Sequence, residues 1–422
     1  MDKIFSTADW AKRANVYEVN IRQYTPEGNF SAFSKHLPRL KAMGVEILWL
    51  MPITPIGKKM RLGSLGSYYA CSNYTEINPE FGTLDDFKNL VTAAHALGFK
   101  LIIDWVANHT GWDHHWVTEH PEWFLKDAKG NFTELNGWTD VIDLDYNEPG
   151  MCKAMIEAMQ FWVREFDIDG FRCDMAHLVP LVFWKEARKA CDTIKPLFWL
   201  AECEVVSYHD VFDASYAWDW MHLTEKYTRG EASLSQIREL LHAYTQYPTG
   251  ALKLFFTTNH DENSWNGTEF EKYRKAAKAW AVFTMLWNGI PLVYSGQEIP
   301  NTRRLEFFNK DLINWDQPLQ LESFYTKLLD LRRQNAAATG GEVFILPSSN
   351  DNQVMAFMRR KEEETLLVLL NLSADDRLQV SVSHPWLNGR FRNLFSEFEF
   401  SFNGNESFEL QAGEYFVYEK IN

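Results

Sequence analysis

Short apolar runs along the chain alternate with stretches whose apolar residues recur at helical spacing. The runs cover residues 16–21, 46–51, 99–106, 168–173, 198–203, 251–257 and 290–294, with a weaker one at 211–216. Each reads as a buried strand, and eight strands alternating with helices is the count that closes a parallel (β/α)8 barrel, the TIM architecture. The stretch 83–104 shows the grammar. Thr83 is placed to cap a helix, with Asp86 at the capping-box position. Leu84, Phe87, Leu90, Val91, Ala94 and Leu97 follow at helical spacing, and Gly98 stops the helix before an apolar strand. Met155, Met159, Trp162, Val163 and Phe166 form another helical face.

Two departures from this alternation set the expected boundaries. Residues 110–146 show no clear period, and a long insertion inside a compact domain is more often functional than accidental. From about Gly341 the pattern changes to short alternating strands, such as 354–358 and 365–372, which predict a separate antiparallel β domain. The reading is therefore a barrel over 1–109 and 147–338, an insertion after its third strand at 110–146, and a C-terminal β-sandwich over 339–422.

Composition narrows the class. At 422 residues, 46 % hydrophobic and 23 % charged, the chain is neither disordered nor fibrous. No stretch approaches the ~18 unbroken apolar residues of a membrane span. Its 57 acidic residues against 42 basic ones argue against a nucleic-acid partner. The 30 Phe, 16 Tyr and 17 Trp suit either a large aromatic core or platforms for sugar rings. Five cysteines (Cys71, Cys152, Cys173, Cys191, Cys203) lack metal-like spacing, so buried free thiols in a reducing compartment are expected. With no apolar leader visible at the start, the expected location is the cytoplasm; a trimmed chain would leave a periplasmic or secreted origin open.

Barrel enzymes carry their chemistry at the C-terminal strand ends. The third run ends in Asp104, followed by Asn108 and His109; the fourth ends in Arg172-Cys173-Asp174, with His177 beyond; the fifth ends in Glu202; the seventh ends in Asn259-His260-Asp261. Any one of these could be an ordinary strand-end carboxylate, but four strand ends doing it together point to a site. There is no phosphate loop and no H-E-x-x-H, and Gly63-Ser64-Leu65-Gly66 has the wrong spacing for a serine nucleophile elbow. Paired carboxylates remain, and they are the tools of glycoside hydrolysis.

These segments resemble the signature regions of the α-amylase family, glycoside hydrolase family thirteen. Asp104-Trp105-Val106-Ala107-Asn108-His109 looks like D-x-V-x-N-H, and Gly170-Phe171-Arg172-Cys173-Asp174 looks like G-F-R-x-D. Ala201-Glu202 stands at the general-acid position, Phe256-Thr257-Thr258-Asn259-His260-Asp261 looks like F-x-x-N-H-D, and Val141-Ile142-Asp143-Leu144-Asp145 is similar to L-P-D-L-D.

The resemblance implies Asp174 as nucleophile, Glu202 as general acid/base and Asp261 as transition-state stabiliser. Arg172 would hold Asp174 ionised. Glu202 needs a raised pKa, with which its apolar approach Phe198-Trp199-Leu200 is consistent. His109 and His260 would hydrogen-bond the sugar on which Tyr69 stacks, with Tyr68 as the alternative, and Asp104 and His177 join the substrate-binding set. His177 and Leu178 replace the Lys-His pair of many amylases, so contacts on the leaving-group side are not copied. A calcium ion held by Asn108, Asp143 and the Leu178 carbonyl is also implied, although Asn108 could instead cap a loop.

The expected activity is retaining hydrolysis of α-1,4-glucosidic bonds in starch-like glucans or malto-oligosaccharides, with no organic cofactor. The alternatives are a glucan transglycosylase using the same trio and a catalytically silent glucan- or partner-binding relative.

Overall fold

The computed structural model describes residues 4–421. Strands β1 (Val16–Val19), β2 (Ile47–Leu50) and β3 (Lys100–Trp105) are followed by two short ones, β4 (His109–Gly111) and β5 (Val141–Asp143). Then come β6 (Gly170–Cys173), β7 (Phe198–Ala201), β8 (Ala214–Tyr216), β9 (Leu252–Phe255) and β10 (Ile290–Tyr294). All but β4 and β5 close a barrel in the order β1-β10-β9-β8-β7-β6-β3-β2. Each of the eight apolar runs carries one barrel strand. Strands buried on both faces read as continuous apolar runs, which is why they were visible without alternation. Gly170 lets β6 approach β7 closely: a Cβ there would sit 2.0 Å from the Phe198 carbonyl oxygen.

The helical grammar also holds. Thr83 and Asp86 form a reciprocal capping box on the helix Leu84–Ala96. The helix Pro149–Phe166 buries Met155, Met159, Trp162, Val163 and Phe166, the face read from the sequence. The short strands β4 and β5 pair antiparallel, setting His109 opposite Asp143.

The described chain forms two compact units. The first runs to Tyr216 and adds Pro248–Ala251 and Leu305–Asn314; the second holds Ala217–Tyr247, Leu252–Arg304 and everything from Trp315 onward. Compactness thus groups β9 and β10 with the C-terminal segment, a different cut from the one drawn on pattern alone. The helix Ala277–Leu286 gives the reason. Nine of its ten residues are buried, and Phe283 and the following Trp287 pack on Phe357 with ring centroids 6.0 and 5.1 Å away. Arg359, fully buried, donates to the Leu286 carbonyl at 2.8 Å.

The C-terminal strands β11 (Glu342–Leu346), β12 (Val354–Lys361), β13 (Glu364–Asn371), β14 (Leu378–Asn393), β15 (Glu399–Leu410) and β16 (Tyr415–Ile421) are antiparallel. Where a sandwich was expected, these strands form one hydrogen-bonded sheet, ordered β11-β12-β13-β16-β14-β15, with a register shift in β14 between Ser383 and Asn388. Alternate residues such as Val354, Ala356, Met358, Leu367, Leu369, Val380 and Phe391 build its core. All five cysteines are free, and no described helix is long and apolar enough to cross a membrane.

Candidate active site

In the first unit, the ends of β3, β6 and β7 bring Asp104, Arg172, Asp174 and Glu202 into one buried cluster centred on Arg172. Its Nη1 donates to Asp104 Oδ1 at 2.9 Å and to Asp174 Oδ1 at 2.8 Å. Nη2 lies 2.7 Å from Glu202 Oε2, an ion pair too poorly aligned to count as a hydrogen bond. Nε donates to the Tyr216 hydroxyl at 3.0 Å. Burial works against the guanidinium's charge, but the charges of Asp104 and then Glu202 outweigh it, holding Arg172 well above its ordinary value. One cation therefore spans three carboxylates with almost no water around it.

Asp104 is fixed from its other side by the Tyr69 hydroxyl at 3.1 Å and by Trp49 Nε1 at 3.2 Å. The Tyr69 ring stacks on Phe307, centroids 6.2 Å apart. Tyr68 points elsewhere: its hydroxyl accepts from Asn20 and its ring lies under the Arg22 guanidinium. Of these two tyrosines, Tyr69 is the one that joins the cluster.

Glu202 also accepts from the Met175 N–H at 3.0 Å. Met175 directly follows Asp174 and adopts the left-handed conformation, φ 40°, which few side-chain-bearing residues tolerate. That turn binds the backbone after one carboxylate to the side chain of the other. A cation and a backbone N–H therefore face Glu202, where its apolar approach suggested desolvation alone.

His109 is buried beside this cluster, and burial pushes it down to about 4 against the hydrogen bond its ring donates to the Tyr69 backbone, which leaves the imidazole neutral at pH 7. His177 stands exposed on the short turn Ala176–Leu178, outside the hydrogen-bonded cluster. In the second unit, His260 and Asp261 follow β9, and His260 Nε2 lies 3.2 Å from Asp261 Oδ2. Trp49, Tyr216 and Met175 were missed by sequence reasoning. The first two lie on barrel strands, which was the available signal; the Met175 conformation left none.

Asp143 Oδ1 is buried without a hydrogen-bond partner, while Oδ2 accepts from the Leu135 N–H at 2.9 Å. Burial pushes Asp143 up to about 6, although the Leu135 amide and, more weakly, the Asn108 side chain hold it down. A buried carboxylate with one unpartnered oxygen suits a hard cation. Among the described residues no group of three or more His, Cys, Asp or Glu could hold a metal, so carbonyl and amide oxygens would have to complete the set.

Fold and site together are a barrel with buried carboxylates gathered on one arginine at its strand ends. The family model for the α-amylase catalytic domain matches residues 6–131 and 118–336, and that for the maltogenic amylase C-terminal domain matches 344–418. The chain is similar to the crystal structure of a maltogenic α-amylase from Thermotoga neapolitana, at 32 % identity and a TM-score of 0.91, covering 98 % of this chain and 100 % of that one. An α-amylase from Lactobacillus plantarum is similar at 30 % identity and a TM-score of 0.88, with the same coverages of 98 % and 100 %. The maltogenic α-amylase of Bacillus acidopullulyticus is 24 % identical over 433 residues, 93 % of this chain and 70 % of that protein. The chain spans 56 % of α-amylase MalA from Haloarcula japonica and 65 % of a cyclomaltodextrinase from Geobacillus thermopakistaniensis. The chain belongs to the α-amylase family of glycoside hydrolases and is a glycosidase of that type.

Proposed function

We propose that the enzyme hydrolyses α-1,4-glucosidic bonds of starch-like glucans or malto-oligosaccharides with retention of configuration. Glu202 protonates the leaving oxygen while Asp174 attacks the anomeric carbon. Water deprotonated by Glu202 then releases the glycosyl-enzyme. Asp261 stabilises the charge that develops on the ring, His109 and His260 bind sugar hydroxyls, and Tyr69 stacks on the reacting sugar, with Asp104 and His177 as further substrate contacts. Arg172 keeps Asp174 ionised by direct contact. Its contact with both Asp174 and Glu202 is the observation that carries this reading. Carboxylates held by one guanidinium suit the short spacing of retaining chemistry, about 5–5.5 Å.

Calcium, when bound, would take oxygens from Asn108, Asp143 and the Leu178 carbonyl. It would supply position, tying the β4–β5 insertion to the barrel, and no chemistry at the scissile bond. The free cysteines support a reducing, cytoplasmic setting.

The test is reducing-end release from soluble starch and maltoheptaose, with the anomeric form of the first product followed by NMR. The α-anomer is expected, and Asp174→Asn should lose several orders of magnitude in rate with its melting temperature kept. Initial β-anomer would refute retention. Products longer than the substrate would favour the transglycosylase reading.

A further inference from the structure

Directly after Asp261 the second unit winds into a π-helical turn, Glu262–Asn266, in which Gly267 N–H donates to the Glu262 carbonyl at 2.8 Å. Such turns are rare and concentrate at functional sites. This one is held from beneath by a buried ion triad. Lys272 Nζ lies 2.7 Å from Glu262 Oε2 and 3.1 Å from Glu225 Oε1. Asn266 Nδ2 donates to Glu225 Oε2 at 3.0 Å and to Glu262 Oε2 at 2.9 Å. At the other end, Asn259 Oδ1 accepts from the Glu262 N–H at 2.8 Å. Both ends of the turn are therefore fixed, one of them to the residue two before Asp261.

On this frame stands Trp265, 57 % exposed. Single exposed aromatics are ordinary on protein surfaces. Here the position is not. Four residues apart on a helical turn, Asp261 and Trp265 are neighbours on one face, and the Asp261 side chain is itself 36 % exposed. The ion triad and Asn266 fix the turn on which the indole stands. A largely exposed indole on a braced turn, near the acidic group of the site, is suited to one class of ligand: a ring with an apolar C–H face and a hydroxylated rim.

We propose that Trp265 is a stacking platform for the glucosyl unit next to the one at Asp261, and so a specificity-determining residue for chain length. The inference rests on the α-glucan reading above. Stacking on a ring that carries no developing charge is made equally in ground and transition states, so it acts on KM more than on kcat.

The experiment compares wild type, Trp265→Ala and Trp265→Phe on maltoheptaose, reading KM, kcat and melting temperature. Trp265→Ala should raise KM about five- to tenfold, the scale of one aromatic stacking contact, with kcat moving less. Trp265→Phe should recover most of the loss, and both variants should melt like wild type. An unchanged KM in Trp265→Ala overturns the platform and leaves the glucanase reading intact. A fall in kcat at constant KM also overturns it, making Trp265 part of the turn's scaffold. A wild type that releases no reducing ends from maltoheptaose removes both readings.

Discussion

Glu269 is a carboxyl that folding makes harder to ionise. It is buried, and burial raises it to about 7 from 4.5 even though Thr257 and Gln297 donate to its Oε2 at 2.9 and 2.7 Å. A folded-state value above the unfolded one means the native state binds the extra proton. Its contribution is complete below about 4.5 and is lost as pH rises through about 7. Glu269→Gln keeps both accepted hydrogen bonds and removes the ionisation. It should leave stability unchanged at pH 4 and raise it at pH 8 by about 3 kcal/mol at most, measured by urea denaturation at each pH. Equal stability of the two proteins at pH 8 would show that Glu269 finds a counter-charge. Thr257 belongs to the signature segment that ends in Asp261, so this carboxyl braces that segment from behind. Nothing in the run of sequence 269–273 marked it, because its partners come from Thr257 and Gln297, both distant in the chain.

At the scale of elements, the foot of the barrel is tied as firmly as its rim. Asp169, just before β6, takes His95 Nε2 at 2.6 Å, Lys100 Nζ at 3.0 Å, Lys195 Nζ at 3.1 Å and the Leu101 N–H at 2.9 Å. Burial alone would raise its carboxyl; His95 foremost, then the Leu101 amide and the two lysines, bring it down to about 2. Here the sign is opposite to Glu269: stability is present above about 3.8 and lost as pH falls towards about 2. Asp169→Asn should cost about 2 kcal/mol at pH 7, with the difference from wild type vanishing near pH 2 in acid unfolding followed by circular dichroism. A constant difference across that range would assign the loss to packing instead. The strands and helices themselves were legible because burial on both faces leaves a continuous apolar run, and capping leaves Thr83 and Asp86 three residues apart. The carboxylate rim was legible as strand-end residues. What joins them was not: the Arg172 contact with Glu202, the Trp49 and Tyr216 contacts and the left-handed Met175 arise from side chains meeting across strands, and one sequence carries no record of such meetings.

For the molecule as a whole, the insertion is where stability should answer to solution conditions. If Asn108, Asp143 and the Leu178 carbonyl hold calcium, EDTA should lower the melting temperature, and added calcium should restore it in proportion to the logarithm of its free concentration. A melting temperature indifferent to EDTA removes the metal and leaves the glycosidase assignment standing. The C-terminal sheet bears on the whole in another way. Because the helix Ala277–Leu286 is buried almost all round, with Phe283 and Trp287 against Phe357 and the Arg359 guanidinium on its last carbonyl, the segment from 342 onward is no detachable appendage. Cutting the chain at the end of the barrel would strip a wall from the helix that precedes β10 and turn two large rings towards water. Exchange of C-terminal segments between relatives, by evolution or in the laboratory, is therefore constrained: a foreign sheet must bring its own counterpart of Phe357 and Arg359, or the graft must carry that helix with it.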